Sequence, residues 1–266
     1  MTNFNVIFLG DVVGKPGRRA VVAGLTKLRE KYKADFVIIN AENAAKGSGI
    51  NERTANEIFA AQGVNILTLG DHAFRRKGIF ELLNNNDKIL RPLNLVKAPG
   101  IGFAIVEPKP AVKVAVINLI GRIFMNPAEC PFKYVSEALD EIKRQEVKLI
   151  FVDFHAEATS EKIAMGYYLD GKVTALIGTH THVQTADEKI LPCGTAYITD
   201  AGMCGPQKSV LGRSIEDVLE KFTTGIDRNL SVASEENELQ GIFVRADEET
   251  GHALEIERIK LPVSIS

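Results

Sequence analysis

Side chains of the types that bind metal ions follow five short apolar segments scattered along this sequence. In chain order the five motifs are Gly10-Asp11, Asn40-Ala41-Glu42-Asn43, Gly70-Asp71-His72, Asp153-Phe154-His155 and Gly178-Thr179-His180-Thr181-His182. Carboxylate and amide oxygens together with imidazole nitrogens suit Mn, Fe, Zn or Mg, whereas a site that selects by thiolate would contain cysteine. The motifs therefore predict a site for hard or borderline cations.

The number of these side chains predicts two ions rather than one. The candidate ligands are Asp11, Glu42, Asn43, Asp71, His155, His180 and His182. Seven ligands exceed the four that a tetrahedral ion takes, but they suit two ions that share a carboxylate and lie about 3.5–4 Å apart.

Each motif has an ordinary structural interpretation when it is considered alone. Asp11 can cap a helix, Glu42-Asn43 can bond its own loop, and Gly70-Asp71-His72 can be a turn. His155 alone would more often be a satisfied core residue than a ligand. The His180-Thr181-His182 pair is more specific, because alternate residues of an extended segment face the same way. Four of the five histidines lie in these motifs, and the recurrence at five segment ends favours a metal site.

The elements around the motifs predict a parallel sheet. Val6–Leu9, Phe36–Ile39 and Val64–Leu69 are apolar on both faces and alternate with helical patterns, one of which Asn51 can cap and one of which begins at Pro16. In open α/β sheets ligands collect outside the carboxyl ends of the strands. The motifs would therefore meet on one edge of the sheet.

The rest of the chain predicts a second sheet. Phe103–Val106 and Val112–Asn118 form a hairpin-like pair, and a helical pattern near residues 132–145 leads to the apolar segment Leu149–Asp153. Further apolar segments are Val173–Gly178, Gly194–Ile198, Gly241–Ala246 and Ala253–Ile259. No low-complexity linker divides the chain. We predict a single domain, residues 1–266, in which two packed sheets are flanked by helices.

Composition excludes several classes of partner. The net charge of −2 offers no basic excess for binding nucleic acid, so no extended nucleic-acid surface is expected. No apolar segment approaches the roughly 20 residues that span a bilayer, so no membrane is expected. Cys130, Cys193 and Cys204 are unclustered, as in reduced cytosolic proteins. The N-terminus has no secretory pattern, and we expect a cytoplasmic protein.

Longer stretches of the sequence resemble the calcineurin-like metallophosphoesterases, and specifically the bacterial YmdB-like phosphodiesterases. The resemblance covers nearly the whole chain, and the blocks around His155 and His180 are the most specific. The matching stretches are Gly10–Gly14, Asn40–Ala45, Arg91–Asn94, Asp153–Ser160, Gly178–Ala186 and Gly194–Asp200.

The resemblance implies a fold, a metal pair and an activity. The fold would be a four-layer α/β/β/α sandwich with two mixed sheets, and the activity would be hydrolysis of 2′,3′- or 3′,5′-cyclic nucleotides with iron or manganese. One ion would bind Asp11, Glu42, Asn43 and His182, and the other would bind Glu42, Asp71, His155 and His180. His72 would stand beside the phosphate. Members of the family are often oligomeric, so a homo-oligomer is compatible with the resemblance.

Asp71 departs from the family pattern, which has asparagine at this position. If Asp71 is ionised, three carboxylates and a bridging hydroxide cancel the charge of two divalent ions, so the site is neutral. With asparagine at this position, as in the family pattern, the site keeps one positive charge. We infer weaker attraction for phosphate or a preference for one trivalent iron. The alternative is that Asp71 simply substitutes as an oxygen ligand.

The mechanism expected from this site is hydrolysis by water held between the two ions. The ions would lower the pKa of that water, which would then attack phosphorus in line. His72 is the candidate general acid for the departing ribose oxygen. Asp153, Thr159 and Thr181 are candidate residues for holding the histidine rings.

Two alternative functions remain open at the level of sequence. The same site would also hydrolyse a phosphomonoester or an RNA end, because the ions bind phosphate whatever is attached to it. A protein that binds metal and nucleotide but turns over slowly, as a regulator, is the other alternative. A panel of cyclic and monoester nucleotides discriminates among these activities.

Overall fold

The first of two β-sheets contains eight strands, among them the first and the last strand of the described chain. The computed structural model describes residues 2–265. The strands of this sheet are β1 (Asn3–Leu9), β2 (Asp11–Val12), β3 (Phe36–Asn40), β4 (Ile66–Thr68), β5 (Ile89–Leu90), β12 (Met203–Pro206), β13 (Asn237–Asp247) and β14 (Ala253–Pro262). Their order is β2-β12-β13-β1-β3-β4-β5, and β14 also pairs with β13. Because β13 runs antiparallel to β1 while β1, β3, β4 and β5 are parallel, the sheet is mixed.

The second sheet has six strands, and its centre is also parallel. Its strands are β6 (Phe103–Lys109), β7 (Val112–Ile120), β8 (Leu149–His155), β9 (Ala175–Thr179), β10 (Lys189–Ile190) and β11 (Ala196–Ile198). Their order is β10-β11-β9-β8-β7-β6, with antiparallel pairs only at the two edges. The predicted hairpin is therefore β6–β7, and it leads into parallel pairing of β7 with β8.

Six helices complete the described part of the chain. They are α1 (Gly14–Tyr32), α2 (Glu52–Phe59), α3 (Ile79–Asn84), α4 (Pro131–Arg144), α5 (Thr159–Leu169) and α6 (Ile215–Thr224). Asn51 caps α2 as predicted, since its side chain accepts a hydrogen bond from the backbone N–H of Thr54 at 3.0 Å. The first helix begins at Gly14, two residues before the predicted start at Pro16.

Three buried apolar clusters separate four layers. One joins the first sheet to α1, α2 and α3, for example through Leu25 and Ile39. A second lies between the sheets and contains Phe8 and Phe151, and the third joins the second sheet to α4 and α5. The order of layers is therefore helices, sheet, sheet, helices, which confirms the predicted four-layer α/β/β/α sandwich.

The carboxyl ends of the parallel strands lie at one edge, and the backbones pack closely there. A Cβ atom on Gly10 would lie 2.0 Å from the carbonyl oxygen of Gly202, so only glycine allows β1 to pass into β2 at this point. A Cβ on Gly178 would lie 1.7 Å from the carbonyl oxygen of Thr199. Within residues 2–265 we find no helix with the length and apolarity needed to span a bilayer.

Candidate metal centre

The five motifs end strands of both sheets and converge on this shared edge. Asp11 begins β2, Glu42 and Asn43 follow β3, and Asp71 and His72 follow β4. His155 is the last residue of β8, and His180 follows β9 directly. Because the strands themselves are apolar and buried, the polar residues lie in the loops that follow them at this edge.

Four of the seven predicted ligands form a compact cluster. Donor atoms of Glu42, Asp71, His155 and His180 all lie within 4.8 Å of one another. The Nε2 atom of His155 is 3.3 Å from Oε2 of Glu42, 3.2 Å from Oδ1 of Asp71 and 3.0 Å from Nδ1 of His180. Ligands about 2.0–2.2 Å from one ion are separated by roughly 3.0–3.5 Å. These four side chains therefore fit a common metal ion.

The remaining three predicted ligands lie on the other side of Glu42. Nε2 of His182 is 3.8 Å from Oδ1 of Asp11 and 3.1 Å from Nδ2 of Asn43, which in turn donates to Oε1 of Glu42 at 2.8 Å. Glu42 thus directs one oxygen to each group. Among these atoms, Oδ1 of Asp11 is buried and has no hydrogen-bond partner. A buried carboxylate oxygen without a partner is costly, and a cation would satisfy it.

The side-chain amide of Asn43 is oriented with its nitrogen, not its oxygen, towards His182. A metal ligand at this position would have to be the oxygen. A half-turn of the amide exchanges the two atoms at little steric cost, since they are nearly equal in size. The residue is therefore in the right place, and ligation requires the other amide orientation.

His72 lies beside both groups of candidate ligands. Its Nδ1 is 2.8 Å from Oδ1 of Asn43, and its Nε2 is 3.5 Å from Oδ2 of Asp71. Its backbone N–H donates to Oε2 of Glu42 at 3.1 Å. The side chain is 25% exposed, whereas that of His155 is fully buried, so His72 is accessible from solvent.

The electrostatics of the cluster favour a cation. Burial alone would lower the pKa of His155, but the carboxylates of Glu42 and Asp71 outweigh it and raise that pKa well above its usual value. Burial raises the pKa of Asp11. Despite burial, hydrogen bonds from His155 and His180 hold the pKa of Asp71 below its usual value. Positive charge therefore stabilises this group of carboxylates, and a bound divalent ion would supply it.

The ring of His155 is held by a buried chain of hydrogen bonds. Thr179 donates through Oγ1 to Oδ1 of Asp153 at 2.7 Å, and its Oγ1 lies 2.9 Å from Nδ1 of His155. Asp153 also accepts from Thr68 at 2.5 Å and from Asn40 at 2.9 Å. Since Thr179 donates to Asp153, it accepts from Nδ1–H of His155, which leaves Nε2 free for the metal side.

Other residues hold the remaining rings. Glu157 places Oε2 3.1 Å from Nε2 of His180, and Nδ1 of His182 is 3.1 Å from the carbonyl oxygen of Leu211. Of the three predicted holding residues, Asp153 acts through Thr179, Thr181 contributes its backbone N–H to Asp200, and Thr159 begins α5.

Glu157, Thr179 and Asp200 were missed by sequence reasoning. Glu157 and Thr179 lie within two residues of a candidate ligand. Asp200 follows the apolar strand β11 at a distance of two residues, much as the five motifs follow their strands, and this is a signal that could have identified it.

The chain is similar to known proteins in both sequence and structure. A sequence model described as "YmdB-like protein" matches residues 7–259. The 2′,3′-cyclic-nucleotide 2′-phosphodiesterase of Bacillus subtilis strain 168 is 44% identical over 255 residues, which are 96% of each chain. A crystal structure of a novel phosphatase from Mycoplasma pneumoniae has a TM-score of 0.92 at 38% identity, and covers 98% of this chain and 94% of its own. A hypothetical protein from Thermus thermophilus has a TM-score of 0.90 at 37% identity, covering 98% of this chain and 100% of its own.

Proposed function

Because this chain belongs to the YmdB-like family and is a hydrolase of phosphoric esters, we propose that it is a dinuclear metal-dependent phosphodiesterase acting on cyclic nucleotides. The 44% identity to a 2′,3′-cyclic-nucleotide 2′-phosphodiesterase over nearly the full length of both chains supports a 2′,3′-cyclic substrate in particular. The 3′,5′-cyclic nucleotides form the second substrate class of the proposal.

The position of Glu42 is the observation that carries the proposal. Its two oxygens contact two different groups, one containing His155 and the other containing Asn43. In the proposed centre Asp11, Glu42, Asn43 and His182 hold one ion, while Glu42, Asp71, His155 and His180 hold the other. Iron or manganese fits a set of oxygen and imidazole ligands that contains no thiolate. Two such ions would supply an activated water and neutralise charge on the phosphate oxygens.

Within this proposal, His72 donates a proton to the departing ribose oxygen. Once the amide of Asn43 has turned its oxygen towards the ions, its Nδ2 faces Nδ1 of His72. Nδ1 of His72 then accepts a hydrogen bond from that Nδ2, so the proton that the ring delivers to the ribose oxygen is on Nε2, and solvent at the exposed side of the ring replaces it. The partial exposure of the side chain leaves Nε2 accessible to substrate. The amide orientation in which Asn43 binds an ion is therefore also the one that places the proton of His72 on Nε2.

The proposal is tested by removing the metals and comparing substrates. We expect chelation to abolish hydrolysis of 2′,3′-cyclic nucleotides and added Mn²⁺ or Fe²⁺ to restore it. The 3′,5′-cyclic nucleotides and nucleoside monophosphates, measured in parallel, rank the substrate classes by kcat/KM. Hydrolysis that is unaffected by complete metal removal would contradict the dinuclear mechanism, and faster turnover of monoesters than of either cyclic class would contradict the substrate.

A further inference from the structure

The loop that contains His180 and His182 has an unusual backbone. His180 has φ of 105° and His182 has φ of 63°, and both values lie in the left-handed region that residues with a Cβ atom rarely adopt. The residue between them is Thr181. Such backbone conformations persist only where surrounding contacts enforce them, so the structure around Thr181 must hold the loop in place.

Asp200 holds the loop at Thr181, next to His180, whose own backbone N–H donates to Oδ2 of Asp11 at 3.1 Å. Oδ2 of Asp200 accepts a hydrogen bond from the backbone N–H of Thr181 at 3.0 Å, and its Oδ1 accepts one from the backbone N–H of Gly202 at 2.9 Å. The backbone of Asp200 also makes two hydrogen bonds with Thr185. The backbone N–H of Thr185 donates to the carbonyl oxygen of Asp200 at 3.1 Å, and the backbone N–H of Asp200 donates to Oγ1 of Thr185 at 3.0 Å. Asp200 thus binds the loop that contains His180 and His182 at two points, Thr181 and Thr185.

A lysine on a different element neutralises Asp200. The Nζ atom of Lys162, on α5, donates to Oδ2 of Asp200 at 2.9 Å, and both side chains are fully buried. A fully buried ion pair is an expensive way to gain stability alone, because both charges lose their hydration. Here the carboxylate has a task that no neutral side chain performs, since only a carboxylate accepts hydrogen bonds on both oxygens at once.

We propose that the Lys162–Asp200 pair is a positioning device for the metal centre. It rests on the proposed function, because the loop it positions carries two of the proposed ligands. Asp200 fixes Thr181 and thereby the directions of the flanking imidazoles. Lys162 cancels the charge of Asp200, which would otherwise add to the carboxylates around Asp11. Neither residue touches substrate, so both act through His180 and His182.

Four variants separate positioning from folding stability. Lys162→Met and Asp200→Asn each leave a buried charge without its partner, so both should lower the thermal midpoint strongly. The double variant K162M/D200N removes both charges, yet its amide still meets either Thr181 or Gly202 with an N–H group. The control is Met165→Ala. Met165 lies on α5, as Lys162 does, but it is fully buried in the apolar cluster that joins the second sheet to α4 and α5.

The readouts are the thermal midpoint of metal-free protein and the Mn²⁺ affinity measured by competition with a chelator. We expect the double variant to recover stability relative to the single variants but to bind Mn²⁺ about 10–100-fold more weakly than the parent. Met165→Ala should lose stability and keep parental affinity. A double variant with parental Mn²⁺ affinity overturns the inference while the proposed function stands. A parent chain that binds no Mn²⁺ at these residues overturns both.

Discussion

At the scale of single residues, His72 and Asp71 are the positions that we propose lie beside the bound phosphate. His72 is partly exposed and is proposed to donate a proton, not to bind an ion. Asp71 contacts the buried His155 through Oδ1 and lies near His72 through Oδ2. The two side chains are adjacent in sequence but have different tasks, so their substitutions should affect different measurements.

Replacement of His72 tests the general acid. We expect His72→Ala to retain the metal content of the parent and to lose about 10²–10⁴-fold in kcat on cyclic nucleotides, because the ribose oxygen would leave unprotonated. His252→Ala is the matched control, since His252 is exposed and belongs to none of the five motifs. Unchanged turnover in His72→Ala would remove His72 from the mechanism.

Replacement of Asp71 tests the charge of the site. Asp71→Asn would remove one negative charge a few ångströms from the proposed phosphate position, an effect on the order of 1 kcal/mol in a solvated site. We expect inorganic phosphate to inhibit the variant at about fivefold lower concentration than the parent. Metal content and oxidation state should be assayed together with inhibition. Equal inhibition and an equal oxidation state would show that Asp71 serves only as an oxygen ligand.

At the scale of elements, the strand ends determine which atoms meet. Gly70 follows the end of β4, and a Cβ atom there would lie 2.3 Å from Oε2 of Glu42 and from Nε2 of His155. The backbone must therefore come this close to the ligands without a side chain. The constraint comes from the side chains of Glu42 and His155 beside Gly70 and not from the conformational freedom of glycine.

Gly70→Ala should accordingly displace ligands while it leaves the fold intact. We expect weaker Mn²⁺ binding by at least about tenfold, in the range that disturbed support of ligands produces. Gly78→Ala is the control, because Gly78 has φ of 77° but a Cβ there would meet nothing within 4 Å. It should cost about 1–2 kcal/mol of folding stability through the left-handed backbone alone. Gly70→Ala with parental metal affinity would contradict close packing of Gly70 against the side chains of Glu42 and His155.

The sequence predicted the long elements well and the short ones poorly. Apolar segments of four or more residues marked the central strands, and the cap at Asn51 marked the start of α2. β2, β5 and β10 have two residues each, too few for any periodicity, and they exist because neighbouring strands offer free hydrogen-bonding groups. β13 extends beyond the predicted Gly241–Ala246 because it pairs along its length with β14.

The candidate site was more predictable than the contacts that orient it. All seven predicted ligands and His72 lie at one edge because parallel strands bring their carboxyl ends together. The tautomer of His155 and the direction of the loop at Thr181 depend on Thr179 and Asp200, which reach these positions only through tertiary packing. The pattern of residue types contains no signal for the pairing of Lys162 with Asp200.

At the scale of the whole molecule, the candidate centre joins the two sheets. Asp11, Glu42, Asn43 and Asp71 come from the first sheet and its loops, and the three histidines His155, His180 and His182 come from the second. Beneath them, Asn40 of the first sheet donates to Asp153 of the second at 2.9 Å. The apolar cluster containing Phe8 and Phe151 continues this contact between the sheets. The single domain over residues 1–266, the cytoplasmic location and the homo-oligomer stay predictions from the sequence.

Anomalous diffraction from crystals loaded with Mn²⁺, with elemental analysis of the same preparation, tests the central claim most directly. We expect two peaks per chain between the two sheets, about 3.5–4 Å apart, with the carboxylate of Glu42 between them. The imidazoles of His155 and His180 should contact one peak and that of His182 the other. A single ion, or two ions that do not share Glu42, would contradict the account.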